Sequence, residues 1–193
     1  MINKNQKTKG FTLVETLVSL LIFGFISIIL VNVFVSVLNS QKRILQNQEL
    51  MNSSSYVLDY MAKLVRMANS DETGNCTGTV GKSYILTAAV DSITFLAYDT
   101  KSSSYKCTQF LLNGTTIEER KSTNDDIDNL GTAQTITSSS VQVTGLTFGL
   151  TGDGADTLQP KVTIMIKMKS TSLFANAPSL IVQTSVSQRK LDI

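Results

Sequence analysis

The sequence predicts an α+β protein, one long amino-terminal helix packed on an antiparallel β-meander. Three observations predict it. From Phe11 to Leu38 the chain is apolar on every side apart from one carboxylate. From Ser40 to about Asn69 apolar residues recur with helical spacing on one stripe only. Beyond about Lys82 the chain alternates short runs rich in Ile, Val, Thr, Phe and Tyr with turn residues, which is strand patterning.

The first ten residues form a short basic leader carrying Lys4, Lys7 and Lys9 and ending at Gly10. The apolar run Phe11 to Leu38 is softened only by Thr12, Thr16, Ser19, Ser27, Asn32 and Ser36. As a helix its 28 residues would extend about 42 Å at roughly 1.5 Å per residue. A hydrocarbon core is about 30 Å thick, so the run is long enough to cross it. Lysines in the leader favour a cytoplasmic amino terminus. Lys42 and Arg43 stand just past the other end and weaken that asymmetry.

Glu15 is the one ionisable residue of the run. A carboxylate inside a bilayer costs on the order of 3 kcal/mol even on the lenient insertion scale, so such a residue signals function and a partner. Cutting the chain after Gly10 would give Phe11 a new amino group at matching depth, on this subunit or on a neighbour. The two charges would then neutralise each other in a poor solvent.

Past Ser40, Ile44, Met51, Leu58 and Val65 are spaced by seven; Leu50, Val57 and Leu64 adjoin them, and Met61 and Ala68 fill the same side. Gln46, Asn52, Ser53, Asp59, Lys63 and Arg66 lie opposite. With no Pro or Gly from Phe25 to Ser70, the helix is expected to reach about Asn69. The turn residues Ser70-Asp71-Glu72-Thr73-Gly74-Asn75 end it. A one-sided apolar stripe on an isolated helix is marginal, so the remaining chain must cover it. Candidate strands are Ser83 to Ala88, Ser92 to Tyr98, Tyr105 to Leu112, Thr115 to Arg120, Val141 to Leu150, Lys161 to Lys169 and Leu180 to Gln188. Asn113-Gly114 reads as a hairpin turn. Lysines at odd positions from Lys161 to Lys169 alternate with apolar even positions, giving one wet and one buried face. The resulting organisation is residues 1–10 leader, 11–38 membrane helix, 39–70 amphipathic continuation and 71–193 a β-rich globular domain outside the cytoplasm.

Net charge is +2, with 17 basic and 15 acidic residues, and removing the leader would leave 14 against 15. No charge excess demands nucleic acid. The chain has no histidine, which removes the commonest general base and metal ligand. We assign no nucleophile and no enzyme activity. Cys76 and Cys107 both fall in the exported part; an oxidising compartment makes a disulfide their simplest state, with two buried thiols as the alternative. Closing that loop would contribute roughly 3 kcal/mol. Asn124-Asp125-Asp126-Ile127-Asp128 alternates oxygen-bearing side chains as calcium loops do, yet Asn129 and Thr135 stand where glycine and a bidentate glutamate belong. Gly152-Asp153-Gly154-Ala155-Asp156 is a second acidic turn; both read as solvated turns rather than as a calcium site. Lys161, Lys167, Lys169, Arg189 and Lys190 read as a solvated strand face; phosphate neutralisation would need a denser cluster with interleaved aromatics.

Lys9-Gly10-Phe11-Thr12-Leu13-Val14-Glu15, followed by the apolar run, resembles the type III signal of type IV pilins and type II secretion pseudopilins. The resemblance implies cleavage by a prepilin peptidase between Gly10 and Phe11 on the cytoplasmic side and N-methylation of Phe11. It implies that Glu15 sets register during assembly with other subunits on a platform in the cytoplasmic membrane. Asn32 departs from the helix-bending proline of many major pilins. The later part is similar to J-type or W-type minor subunits, on Ser92-Ile93-Thr94-Phe95, Glu119-Arg120, Val143-Thr144-Gly145-Leu146-Thr147-Phe148 and Gln183-Thr184-Ser185-Val186-Ser187-Gln188-Arg189. Other readings within this frame are a tip adhesin, a DNA-capturing minor pilin, or a membrane-anchored binding module that does not polymerise.

Overall fold

The computed structural model describes residues 10–152, 159–171 and 177–189. Its elements run in the order α1 (Leu13–Arg66), β1 (Ala68–Asn69), β2 (Tyr84–Leu86), β3 (Ser92–Asp99), β4 (Ser104–Asn113), β5 (Thr116–Lys121), a 3-10 turn (Ile127–Asn129), β6 (Gln134–Thr135), β7 (Val141–Thr151), β8 (Lys161–Ser170) and β9 (Ser179–Ser187). The chain divides into two compact units, Met1–Leu45 and Gln46–Ile193. One long helix with its outer half packed on antiparallel sheets is the expected α+β architecture, consistent with a pilin fold.

In the first unit every residue from Phe11 to Leu38 is exposed apart from the half-buried Gly24 and Ser27. Among the described residues α1 is the one helix long and apolar enough to cross a membrane. Its hydroxyls are satisfied from within: Thr16 Oγ1 donates to Leu13 O at 2.8 Å, Ser19 Oγ to Glu15 O at 2.7 Å and Ser27 Oγ to Phe23 O at 2.8 Å. Each bonds back one turn, so these three hydroxyls make no demand on water.

In the second unit Leu50, Ser54, Val57, Met61 and Val65 of α1 are buried. This face differs from the heptad series 44, 51, 58, 65 read from the sequence. Ile44 is 55 % and Met51 58 % exposed, Leu58 is half-buried and Val65 is sealed. The cause is geometric: a strict seven-residue repeat drifts about 20° per heptad around a straight helix. It starts on the open side and rotates into the core.

The strands form two antiparallel sheets rather than one meander. The larger has the order β1-β3-β4-β5-β6, with β2 also on β3, and the smaller is β7-β8-β9. β1 and β2 share one edge of β3, since Ala68 and Asn69 pair with Ala97 and Leu96, while Tyr84 to Leu86 pair with Phe95 to Ile93. This explains why α1 stops at Arg66 instead of Asn69. Met67 N closes a last tight turn on Leu64 O at 3.0 Å, and the next two residues pair with β3 instead of continuing the helix. The β4–β5 hairpin also differs by one residue from the expected turn. Asn113 pairs with Thr116, so the two-residue loop is Gly114-Thr115 with Gly114 at φ +60°. Glycine first with positive φ is the pattern of a II′ loop, which follows the strand twist.

The smaller sheet obeys the alternation read from sequence: Val162, Ile164, Ile166 and Met168 are buried, whereas Lys161, Lys167 and Lys169 are exposed. In the larger sheet an aromatic chain links helix to strands. Tyr60 meets Phe110 edge-on at 6.2 Å, Phe110 meets Phe95 at 5.8 Å and Phe95 meets Tyr84 at 6.2 Å. Tyr84 Oη then donates to Val65 O at 2.7 Å, and Arg189 N, just past β9, donates to Arg66 O at 3.0 Å. Both satisfy carbonyls that a helix end leaves without partners. The Tyr84→Phe variant should therefore lose about 1–2 kcal/mol of stability. Urea titration of the full chain in detergent, followed by circular dichroism, reads this; an unchanged midpoint contradicts the capping role.

Candidate functional site

The amino-terminal end of α1 is built by Thr12 and Glu15. Thr12 is the last residue before the helix and Glu15 lies in its first turn. Glu15 N donates to Thr12 Oγ1 at 3.3 Å, and Thr12 N faces Glu15 Oε2 at 3.5 Å. This reciprocal pair is a capping box, in which hydroxyl and carboxylate each satisfy an amide that the helix start leaves free. A negative charge in the first turn also sits at the positive end of the helix dipole. The amine of Phe11, on this subunit or on a neighbour, is the partner that the apolar run implies for Glu15, and the capping box adds a local one. Thr12-Leu13-Val14-Glu15 has the Thr-x-x-Glu spacing that would have revealed the local role as well.

Gly10 and Phe11 are both exposed, Phe11 at 77 %, and a Cβ placed on Gly10 would touch nothing within 4 Å. The peptide bond between them is open to another protein. Lys9 and the rest of the basic leader lie outside the described residues. A sequence-family model described as the prokaryotic N-terminal methylation motif matches residues 5–31. The chain opens with a type IV pilin-like prepilin signal. No curated protein and no solved structure matches the chain. The matched residues take in the second half of the leader, the Gly10–Phe11 bond, Glu15 and most of the apolar run.

Cys76 and Cys107 are joined in a disulfide with their Cα atoms 5.5 Å apart, and both are fully buried. The bridge clamps three segments. The loop after β1 carries Cys76, β4 carries Cys107, and Cys107 N donates to Ser122 Oγ at 2.7 Å. Ser122 Oγ in turn bonds Asn124 O, and Ile127 N donates to Asn75 O at 3.3 Å.

Asp71 organises the first of these segments, a role not read from the sequence. Its carboxylate is buried and accepts at both oxygens. Thr73 N (3.2 Å), Thr73 Oγ1 (3.0 Å) and Gly74 N (2.8 Å) donate to Oδ1. Cys76 N (2.8 Å), Thr77 N (2.8 Å) and Thr77 Oγ1 (3.1 Å) donate to Oδ2. Burial alone would raise its pKa, but the hydrogen bonds from Thr77, Cys76, Thr73 and Gly74 outweigh it and hold the carboxyl below its ordinary range. Asp-x-Thr-Gly at the end of a helix is the signal that could have found it, because Asp readily bonds amides two or three residues ahead.

A second polar group ties α1 to β5. Tyr60 Oη donates to both oxygens of the buried Glu119 at 3.0 and 2.9 Å, and Lys121 Nζ lies 3.0 Å from Glu119 Oε1. Burial, reinforced by Glu119, pushes the Tyr60 hydroxyl pKa up. Burial would lower the Lys121 pKa, yet the Glu119 carboxylate wins and raises it. The cluster is a charged staple across the helix–sheet layer.

The Asn124–Asp128 segment turns its oxygens on itself. Asp126 Oδ1 accepts from Asp128 N at 3.0 Å and caps the 3-10 turn, and Asn124 Oδ1 accepts from Asp126 N at 3.4 Å. Among the described residues no three His, Cys, Asp or Glu side chains come together as a metal-binding group. The second acidic turn, past Gly152, lies outside the described residues, as does Lys190. Arg189 is exposed.

Asp71→Asn places an amide donor against the Cys76 and Thr77 amides and should cost about 3 kcal/mol at neutral pH. Because the folded carboxyl pKa lies below the unfolded one, its contribution is complete above about pH 4 and fades as pH falls through the folded value. The variant should therefore flatten the acid limb of the stability–pH curve. An acid limb identical to that of the parent chain contradicts the assignment.

Proposed function

We propose that this chain is a structural subunit of a type IV pilus-like filament, of the minor pilin or minor pseudopilin class, in a secretion, competence or pilus machine. The observation that carries the proposal is the union of the prepilin signal with an apolar helix that none of the described residues of its own unit covers. A prepilin peptidase cuts between Gly10 and Phe11, Phe11 is N-methylated, and the subunit waits in the cytoplasmic membrane with its disulfide-bonded domain outside. Lipid covers the helix first. On assembly the helices of neighbouring subunits replace lipid, and the new amine of Phe11 on one subunit meets Glu15 of another.

The helix itself supports this order of events. A glycine inside a helix costs about 1 kcal/mol relative to alanine. A Cβ at Gly24 would touch nothing within 4 Å, so nothing in the described chain needs a glycine there. A close-packed neighbouring helix would need it, since small residues let helix backbones approach in apolar surroundings. Assembly then depends on packing between helices and on one charge pair in a medium where unpaired charge is strongly disfavoured. The minor class is supported by the sequence cues of β3, β7 and β9 rather than by geometry. No residue is proposed as catalytic.

The Glu15→Ala variant should be cleaved and retained in the membrane yet be depleted at least tenfold from sheared filaments, as measured by quantitative immunoblotting of both fractions. Incorporation equal to that of the parent chain refutes the pairing role.

A further inference from the structure

β9 is the outer strand of the smaller sheet and pairs with β8 on one side only. The ladder shows which way its backbone groups turn. One step beyond each end, Ser170 N donates to Pro178 O at 3.0 Å and Gln188 N to Pro160 O at 3.1 Å. Both pairs join even-numbered residues, in the register that sets Val182 against Ile166. In an antiparallel pair such residues turn N–H and C=O toward each other, and the residues between them turn both away. Ser179, Ile181, Gln183, Ser185 and Ser187 therefore present their backbone donors and acceptors on the side away from β8. No bond to these groups is made by the described residues. The outward series finds a partner only past the strand, where Arg189 N donates to Arg66 O at 3.0 Å.

The other sheet edges are protected. β1, β2 and β6 are two or three residues long. β7 has a bulge between Val143 and Gly145, and its Val143 N and Phe148 N donate to Thr115 O and Val90 O, both at 2.8 Å. Short strands, bulges and cover are common guards against stray pairing, as are lysine and proline on the edge itself. β9 runs for nine residues with no register shift, no proline and no charge. The core is also unsealed along it. Met168, Ile166 and Ile164 of β8 are buried, whereas Leu180, Val182 and Thr184 opposite them are half-buried. On the outer face Ile181 is 63 % exposed.

Donors and acceptors that alternate in this way are matched by another extended backbone. The side chains define its chemistry. On the inner face it must carry apolar residues to cover Leu180 and Val182. On the outer face Lys161 stands beside Ser187 and Lys169 beside Ser179, and both lysines are exposed. At each end of β9 one serine thus separates a cation from the edge. A strand added about 4.8 Å beyond β9 would place its end residues about 10 Å from the lysine backbones. A glutamate on it and the lysine can meet across the small serine. A second β9 would bring no acid to those lysines. We propose that the β9 edge takes up, by strand addition, an extended segment of a different protein, apolar at alternate residues and acidic where it faces Ser179 and Ser187. The pairing uses neither the apolar helix nor cleavage at Gly10, so it stands or falls apart from the filament reading.

The probe is the peptide Glu-Val-Thr-Val-Thr-Val-Thr-Val-Glu, added in excess to the full chain in detergent, with amide hydrogen exchange read residue by residue by mass spectrometry. In the chain alone the Ile181, Gln183 and Ser185 amides should exchange fast while those of Val182 and Thr184 are protected. The peptide should slow the three outward amides about tenfold and leave the other two unchanged. Lysine in place of both glutamates of the peptide, or K161E/K169E in the chain, should weaken binding about fivefold. Gln183→Pro removes an outward N–H that β8 does not use and should abolish binding. Protection retained at Val182 and Thr184 shows that this variant has kept its sheet, and the charge variants test the same edge without touching its backbone. Outward amides that stay fast with peptide in excess overturn the proposal, as does binding indifferent to charge reversal. Outward amides whose protection rises with the concentration of the chain alone would mean that a second copy fills the edge, which overturns it as well.

Discussion

The structure depends on one unmet constraint. From Phe11 to Leu38 the chain presents an apolar surface to which the described residues of its own unit add no cover. At about 25 cal/mol per Å² such a surface cannot remain in water. The hydroxyls of Thr16, Ser19 and Ser27 are bonded back to the helix, which leaves Glu15, at the helix start, as the one charge on it that resists lipid. Everything that follows in the chain either stabilises the outer half of that helix or finishes the domain it carries.

Cover for the outer half comes from both sheets, and the ends are secured by polar bonds. Tyr84 and Arg189 bond the last helical carbonyls, and Gln188 Nε2 donates to Ala68 O at 3.1 Å just beyond them. Strands distant in sequence thus converge on residues 65–68. Glu119 draws Tyr60 and Lys121 together at the other face of the same packing. Asp71 and the disulfide then fix the turn that leads out of the helix. The carboxylate collects amides of a loop that has little apolar side chain to bury, which is how a polar segment becomes ordered beside a core.

Much of this was legible in the sequence, because periodicity reports burial directly. The apolar run, the seven principal strands and the alternating face of β8 follow from spacing alone. What escaped has physical reasons. A seven-residue repeat marks a stripe that rotates around the helix, so Ile44 and Met51 looked like core and are exposed. Ala68-Asn69 and Gln134-Thr135 are strands because of their partners; two residues carry no periodic signal. The division into two sheets is set by long-range pairing. At the site, the Thr12–Glu15 capping box and the Asp71 turn have recognisable spacings, but an acid in an apolar run and an Asp in a turn each have a sufficient reading without the amides they bind. Tyr60 lies 59 residues from Glu119 and 61 from Lys121, and it meets them only through the fold.

The central claim is that Gly10–Phe11 is where the chain is cut and that a helix beginning at Phe11 is the working form. The most direct measurement is the mass of the amino-terminal peptide of the protein extracted from the membranes of a cell that makes it. The account predicts a peptide beginning at N-methylated Phe11. A peptide beginning at Met1, or at a residue past the apolar run, would contradict it.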